Sequence, residues 1–332
     1  MVEYRRARAE EAADILDFIN YVFSQAHYPH DFRKFNPKMY ASGYPFWKEH
    51  YVAVEDGRIK ATLSITKGEI ERGGEKFTCG HVGQVSVHPY ARGGGHMKAL
   101  MRMADEDMQK DGWDFAELNG LRQRYEYFGY TQGGMKCFMT VTPTNIRHVL
   151  KGAESRMSVK ERTDNSVWER VYDLYDENGK VIGKVGKGTL QIGDLSRAPE
   201  ACDAFFRATG ETGMSISAAP YETERIRAIS AFCEDVQLKT CMQYRVYHFE
   251  KVLRAGLALR AQAGLLPDGV RTVEIDGQAI EIRVEGGRVT VGPGRSGEGR
   301  KLTAMQAQEM MFSAVSPALY PDMPAGWFPI SL

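Results

Sequence analysis

Apolar positions set the first pattern in the chain. Ile15, Ile19 and Val22/Phe23 recur at helical spacing, which predicts a helix from about Glu10, behind a polar strand over residues 2–7. Residues 51–55 and 59–66 are strand-like runs flanking Asp56-Gly57, a pair that favours a tight hairpin turn. A second turn at Gly73-Gly74 leads to a strand over residues 81–88, in which Val82, Val85 and Val87 are the β-branched positions. Pro89 stops that strand, because proline has no N–H for a ladder. After Arg92-Gly93-Gly94-Gly95, Met97, Leu100, Met101, Ala104 and Met108 line one face of a helix expected to end at Gly112. Strands over residues 114–118 and 135–142 follow, with a short helix between them. This order predicts a mixed-sheet α/β domain over residues 1–145.

A second hairpin-bearing unit over 146–247 follows. Strands at 167–175 and 181–185 flank Asn178-Gly179, helices are expected at about 199–209 and 221–232, and a strand at 242–247. The arrangement loosely echoes the first domain but has no Arg-x-x-Gly turn before a helix. The last unit, 248–332, opens with an amphipathic helix over 249–263 and continues as short strands at 270–275, 279–284 and 288–291. Thr303 is placed to cap a final Met-rich helix.

Composition narrows the function classes. Hydrophobic content of 43% and charged content of 26% are those of a soluble globular protein, and 43 basic residues balance 43 acidic ones. That balance provides no overall field for nucleic acid or an anionic membrane. No apolar run approaches the ~20 residues of a membrane span, and the N-terminus lacks the apolar stretch of a secretory signal. The cysteines at 79, 137, 202, 233 and 241 form no Cys-x-x-Cys pair, so neither a metal site nor a disulfide framework is expected. A cytoplasmic protein fits these features. Oligomeric state, a homo-oligomer included, is left open.

The chemistry concentrates in VGQVSVHPYARGGGHMKALM, residues 82–101. A strand that ends in a Gly-rich turn directly before a helix presents unpaired N–H groups, and with them the positive end of the helix dipole, to an anion. Glycines at 93, 94 and 95 allow close backbone approach to a pyrophosphate. Such a turn can also be only a turn. The contiguous glycines do not match a dinucleotide-binding Gly-x-Gly-x-x-Gly, and no Gly-Lys-Ser/Thr follows for a P-loop.

Val-Ser-Val-His-Pro-x-x-Arg-Gly-x-Gly ahead of an amphipathic helix resembles the cofactor motif of the GNAT acetyltransferases, although Met97 stands where the family has Gly or Ala. Tyr125-Glu-Tyr-Phe128-Gly129-Tyr130 resembles the Tyr-x-x-Phe-Gly-Tyr of the same enzymes, the enhanced-intracellular-survival (Eis) type in particular. That type joins a catalytic GNAT domain, a second GNAT-like domain and a sterol-carrier-like domain. The resemblance therefore implies these for 1–145, 146–247 and 248–332. It implies acetyl-CoA held by Val85, Ser86, Val87, Arg92, Gly93, Gly94, Gly95, His96 and Met97, and a small-molecule or lysine amine as acceptor.

Acetyl transfer to an amine needs a free amine, hydrogen bonds to the developing oxyanion and a proton for the leaving sulfur. The resemblance makes Tyr125 the proton donor, which suits a phenol still protonated at neutral pH. It makes the C-terminal carboxylate, here on Leu332, the candidate base. The apolar, proline-stiffened tail Trp327-Phe-Pro-Ile-Ser-Leu332 suits docking. Asp31, Glu49 and Glu117 are further candidates for base or amine anchor. His81, His88 and His96 are read as structural or partly exposed, and Arg122 and Arg124 face either a CoA phosphate or solvent. The alternative is a non-catalytic acyl-CoA or apolar-ligand binding protein built on a degenerate GNAT pair.

Overall fold

The computed structural model describes residues 1–26, 28–41, 43–162, 170–264 and 266–332. They form two compact units, one of Met1–Gly134 with Thr240–Leu332, the other Met135–Lys239.

The first unit begins with β1 (Val2–Arg6), α1 (Ala12–Ala26) and the single turns α2 (Phe32–Phe35) and α3 (Pro37–Tyr40). β2 (His50–Glu55) and β3 (Arg58–Arg72) form the expected hairpin. Asp56 and Gly57 both have positive φ, 51° and 71°, as the tight turn between twisted strands requires. β3 runs to Arg72, past the expected end at 66, because residues 67–72 pair with the polar start of β4 (Glu75–Val87). α4 (His96–Lys110), β5 (Phe115–Leu118) and α5 (Arg122–Glu126) follow. β1 to β5 pair in chain order, antiparallel except that β4 and β5 are parallel. The Gln243–Val246 end of the later strand Asp235–Val246 then pairs antiparallel with β5.

Alternation along these strands builds two cores. Tyr51, Ala53, Leu63 and Val82 meet Leu100, Met101, Ala104 and Met108 of α4 on one face. Val52 joins Ile15, Phe18 and Ile19 of α1 and the aromatic side chains of α2 and α3 on the other. Burial on both faces goes with the apolar run of β2 over residues 51–54.

The rest of this unit is the C-terminal segment. Its leading helix (Phe249–Gln262) and a helix at Ala304–Phe312 flank a four-stranded sheet. Thr303 caps the second helix through a capping box with Gln306, as its position in the sequence predicts. Phe77, Cys79 and Phe115 from the first sheet share one core with Val252, Leu253, Met311, Trp327 and Ile330.

The second unit pairs the Cys137–Val141 part of strand Thr131–Val141 with Met214–Ala218 and adds a four-stranded antiparallel sheet. Helix Ala198–Thr209 supplies much of its core through Ala201, Cys202, Phe205 and Phe206. Of the strand expected over 167–175, Val171–Tyr175 is present and 167–169 lie outside the described residues.

Candidate active site

β4 departs from regular pairing where the motif begins. Thr62 stands opposite Ser86 and Ser64 opposite Gly83, so β4 carries one more residue than β3 across this stretch. The extra residue is absorbed at Gln84, whose φ of 46° lies in the left-handed region that bulges use. The Ser64 hydroxyl donates to the Gln84 side-chain oxygen, and the Ser86 hydroxyl donates to the Gln84 carbonyl at 2.9 Å.

On its other edge β4 pairs with β5 only at Cys79, Gly80 and His81, opposite Phe115, Ala116 and Glu117. Among the described residues, 82–87 have no partner on β5, so the strands fork after His81. The root of the fork is pinned by Asp114, which is 4% exposed. Burial alone would raise its pKa, but Lys251 at 2.8 Å, the Thr78 N–H and His248 together hold it below the usual carboxylate range.

Beyond the fork, His88 N–H donates to the Lys60 carbonyl at 2.9 Å and the chain passes through a single turn at Pro89–Ala91. Gly93 and Gly95 have φ of 85° and 76°, and Gly95 is the N-cap of α4 with no side-chain cap. Among the described residues, the amides of Gly93, Gly95, His96, Met97 and Lys98 find no acceptor. A Cβ built on Gly93 or Gly95 meets nothing within 4 Å, so the space beside these two glycines is open. Arg92 is exposed and makes no ion pair among the described residues. With Lys60, Glu55 and His88 it lines a cavity of about 430 Å³ on the hairpin side of the turn.

The histidines of the motif separate cleanly. His96 is 7% exposed and its Nδ1 meets the Tyr4 hydroxyl at 3.0 Å, so its side chain is structural while its amide faces the turn. His88 stacks on Tyr21 at 5.4 Å between centroids. His81 is half exposed, with Nδ1 3.5 Å from Glu117 Oε1. Val85, Val87 and Met97 pack against the α4 core, and the Ser86 hydroxyl is turned inward.

Tyr125 is 6% exposed and shares the α4 core with Tyr130, at 6.4 Å and near-perpendicular. Burial raises its pKa, partly countered by the charge of Arg124, so the phenol keeps its proton at neutral pH. Its neighbour Tyr127 lies on the surface under Lys98. Arg122 is paired with Glu126. Sequence reading missed two supports of Tyr125. A Cβ on Gly120 would stand 2.3 Å from the Tyr125 ring, so that glycine is what lets the ring lie there. Gln243, 4% exposed, donates to the Gly120 carbonyl at 2.7 Å and buries its Oε1 without a partner among the described residues. Neither has a local signature.

Of the other candidates, Glu49 accepts from Thr66 at 2.7 Å and from Tyr44, while Asp31 caps the single turn α2. Leu332 ends a docked tail. Ile330 N–H donates to the Met311 carbonyl at 2.7 Å, Arg260 holds the Gly326 and Pro329 carbonyls, and the Leu332 side chain packs on the core containing Phe77 and Tyr244.

Residues 3–133 match an acetyltransferase (GNAT) domain. No curated protein matches the chain. Solved structures of similar fold include a conserved Enterococcus faecalis V583 protein described as a probable N-acyltransferase, with TM-score 0.64 and 13% identity over 97% of this chain and 93% of that one. A GCN5-related N-acetyltransferase from Anabaena variabilis has the same TM-score and identity, over 96% and 92%. Eis1 from Mycobacterium abscessus has TM-score 0.62 and 10% identity over 99% and 94%. At such identities the likeness is one of fold. Among the described residues, no helix is long and apolar enough to cross a membrane.

Proposed function

We propose that this chain is an acetyl-CoA-dependent N-acetyltransferase that moves an acetyl group to a primary amine, with Tyr125 as the general acid. The observation that carries this reading is the run of amides at Gly93, Gly95, His96, Met97 and Lys98 without an acceptor among the described residues, set beside the edge of β4 that β5 leaves open after His81. Acetyl-CoA, when bound, supplies a pyrophosphate and an activated thioester. The open turn fits the first: amides and helix dipole meet the phosphates, and the unpaired Arg92 adds charge. The free edge of β4 at residues 85–87 fits the second, offering backbone N–H groups to the pantetheine arm and the developing oxyanion.

Tyr125 holds a proton that a departing thiolate needs, in a buried position that keeps it on the phenol. The family resemblance assigns the amine's proton to the Leu332 carboxylate, and the docked tail supports a terminus held in one place. The chain then carries a catalytic domain over 1–145, a second GNAT-like domain over 146–247 and a sterol-carrier-like domain over 248–332, in a cytoplasmic protein.

Titration calorimetry with acetyl-CoA tests the cradle, and absence of binding ends this reading. Tyr125→Phe tests the chemistry. The expected result is retained acetyl-CoA affinity with turnover lowered about 10²-fold or more. Binding without CoA release in any amine screen would instead favour a non-catalytic acyl-CoA-binding protein.

A further inference from the structure

We infer that residues 235–239 are a self-complementary strand edge through which two copies of this chain pair about a two-fold axis. The strand Asp235–Val246 lies between β5 and the strand Thr131–Val141, but β5 pairs only with its Gln243–Val246 end. On that side, residues 235–239 have no neighbouring strand among the described residues. The backbone N–H and C=O groups along this edge are a template for another strand. All of Asp-Val-Gln-Leu-Lys is exposed, Val236 at 47% and Leu238 at 56%. The run holds no proline or glycine that would spoil pairing.

The order of these residues fits its own reverse. Antiparallel pairing about an axis through Gln237 sets Asp235 against Lys239 of the second copy, and Lys239 against its Asp235. Val236 meets Leu238 in the same way, and Gln237 meets itself. Asp235, Gln237 and Lys239 share one face of the strand, Val236 and Leu238 the other. Charge therefore meets opposite charge on one face, and apolar side chains cover each other on the other. Within one chain the two charges are not neutralised. Gln237 donates to the Asp235 carboxylate and Lys239 Nζ lies 6.0 Å from the centre of the Phe138 ring, but neither charge has an ion-pair partner among the described residues. Moving the axis one residue either way sets Asp235 or Lys239 against Gln237 and separates the opposite charges. This charge order selects a second copy over an unrelated strand, and the contact is isologous, so it closes as a pair. A strand pair this short buries less area than a permanent dimer needs, so the association depends on concentration.

Sedimentation velocity of the full chain over a concentration series tests this. The wild type should show a concentration-dependent step that doubles the mass of its smallest species. Asp235→Lys and Lys239→Asp should each weaken that step about 10-fold, because both attractive pairs become repulsive. The two substitutions together exchange the charges and should restore it, which a folding defect in either variant would not allow. Facing residues of an antiparallel pair have Cα atoms about 4.5–5.5 Å apart, within disulfide reach. Gln237→Cys should therefore oxidise to a covalent dimer. Leu238→Cys, which faces Val236, should cross-link no faster than the wild type with its partly exposed Cys233 and Cys241. A wild type that stays monomeric overturns the inference. So does a charge exchange no better than the single variants, or a Gln237→Cys chain that cross-links at the wild-type rate. An assembly that every variant leaves intact is built on another face, and overturns it as well.

Discussion

Two helices of this chain follow a strand and a glycine, and they begin in opposite ways. α4 starts at Gly95 with no side-chain cap, no acidic residue in its first turn and a row of amides open to the outside. The helix Ala198–Thr209 of the second unit continues from a single turn at Leu195–Arg197 that Asp194 caps: its carboxylate accepts from Ser196 N–H at 3.0 Å and its carbonyl accepts from Arg197 N–H. Pro199 removes one further donor at the helix start, and Glu200 in the first turn pairs with Arg197 at 2.8 Å. In the second unit a capped turn, a proline and a first-turn acid occupy the helix start, although Ala198–Thr209 itself has no side-chain cap. At α4 those interactions are left for something else. The difference teaches where an anionic ligand would find donors: at the helix start whose N–H groups the protein itself has not used.

The largest effect should come from making α4 begin like its counterpart. Gly95→Asp adds a carboxylate that can cap the free amides and repel a pyrophosphate. Losing two charge-assisted hydrogen bonds at ~1.5 kcal/mol each corresponds to about 10²-fold weaker acetyl-CoA binding by calorimetry. Unchanged affinity would mean that the amides of α4 are not the phosphate site.

A second contrast concerns acid. The first unit buries His50 completely, its Nδ1 meeting Thr62 Oγ1 at 3.0 Å and its Nε2 without a partner among the described residues, and burial pulls its pKa down to about 3. The second unit has only the exposed His148. A base whose folded value lies below its unfolded one, about 6.5, contributes its stability above pH 6.5. That contribution is lost as pH falls from there toward 3, because the unfolded chain takes up the proton first. Urea melts across this window should show the first unit weakening, and His50→Gln should flatten that slope. A slope identical in the variant would assign the acid sensitivity to other groups.

The smallest effect lies in the reverse experiment. Asp194→Ala strips the cap of the turn that leads into the second helix and should lower the melting temperature by no more than a few degrees. Its acetyl-CoA affinity should equal that of the wild type, and any loss there would break the distinction between the two helix starts.

Much of the candidate site was legible along the chain because its signals are local. Pro89 ends a strand, positive-φ glycines shape a turn, and apolar spacing from Met97 to Met108 makes the helix that follows. The Thr303 cap and the Asp56-Gly57 turn belong to the same class. What was not legible depends on distant partners. β3 extends through polar residues only because β4 pairs with them. The strand Arg300–Leu302 has no alternation of its own and exists through parallel pairing with Gly269–Ile275. Gly120 reads as a loop glycine until the Tyr125 ring is seen against it.

The sequence by itself determined the Gly-rich turn ahead of α4, since φ preferences, a missing proline donor and helical periodicity act over a few residues. Tertiary structure alone decided the fork. The bulge at Gln84 arises from register against β3, and the separation after His81 arises from the short pairing with β5. The same long-range register turned His81 from one histidine among several near the motif into the one that meets Glu117 at the mouth of that fork.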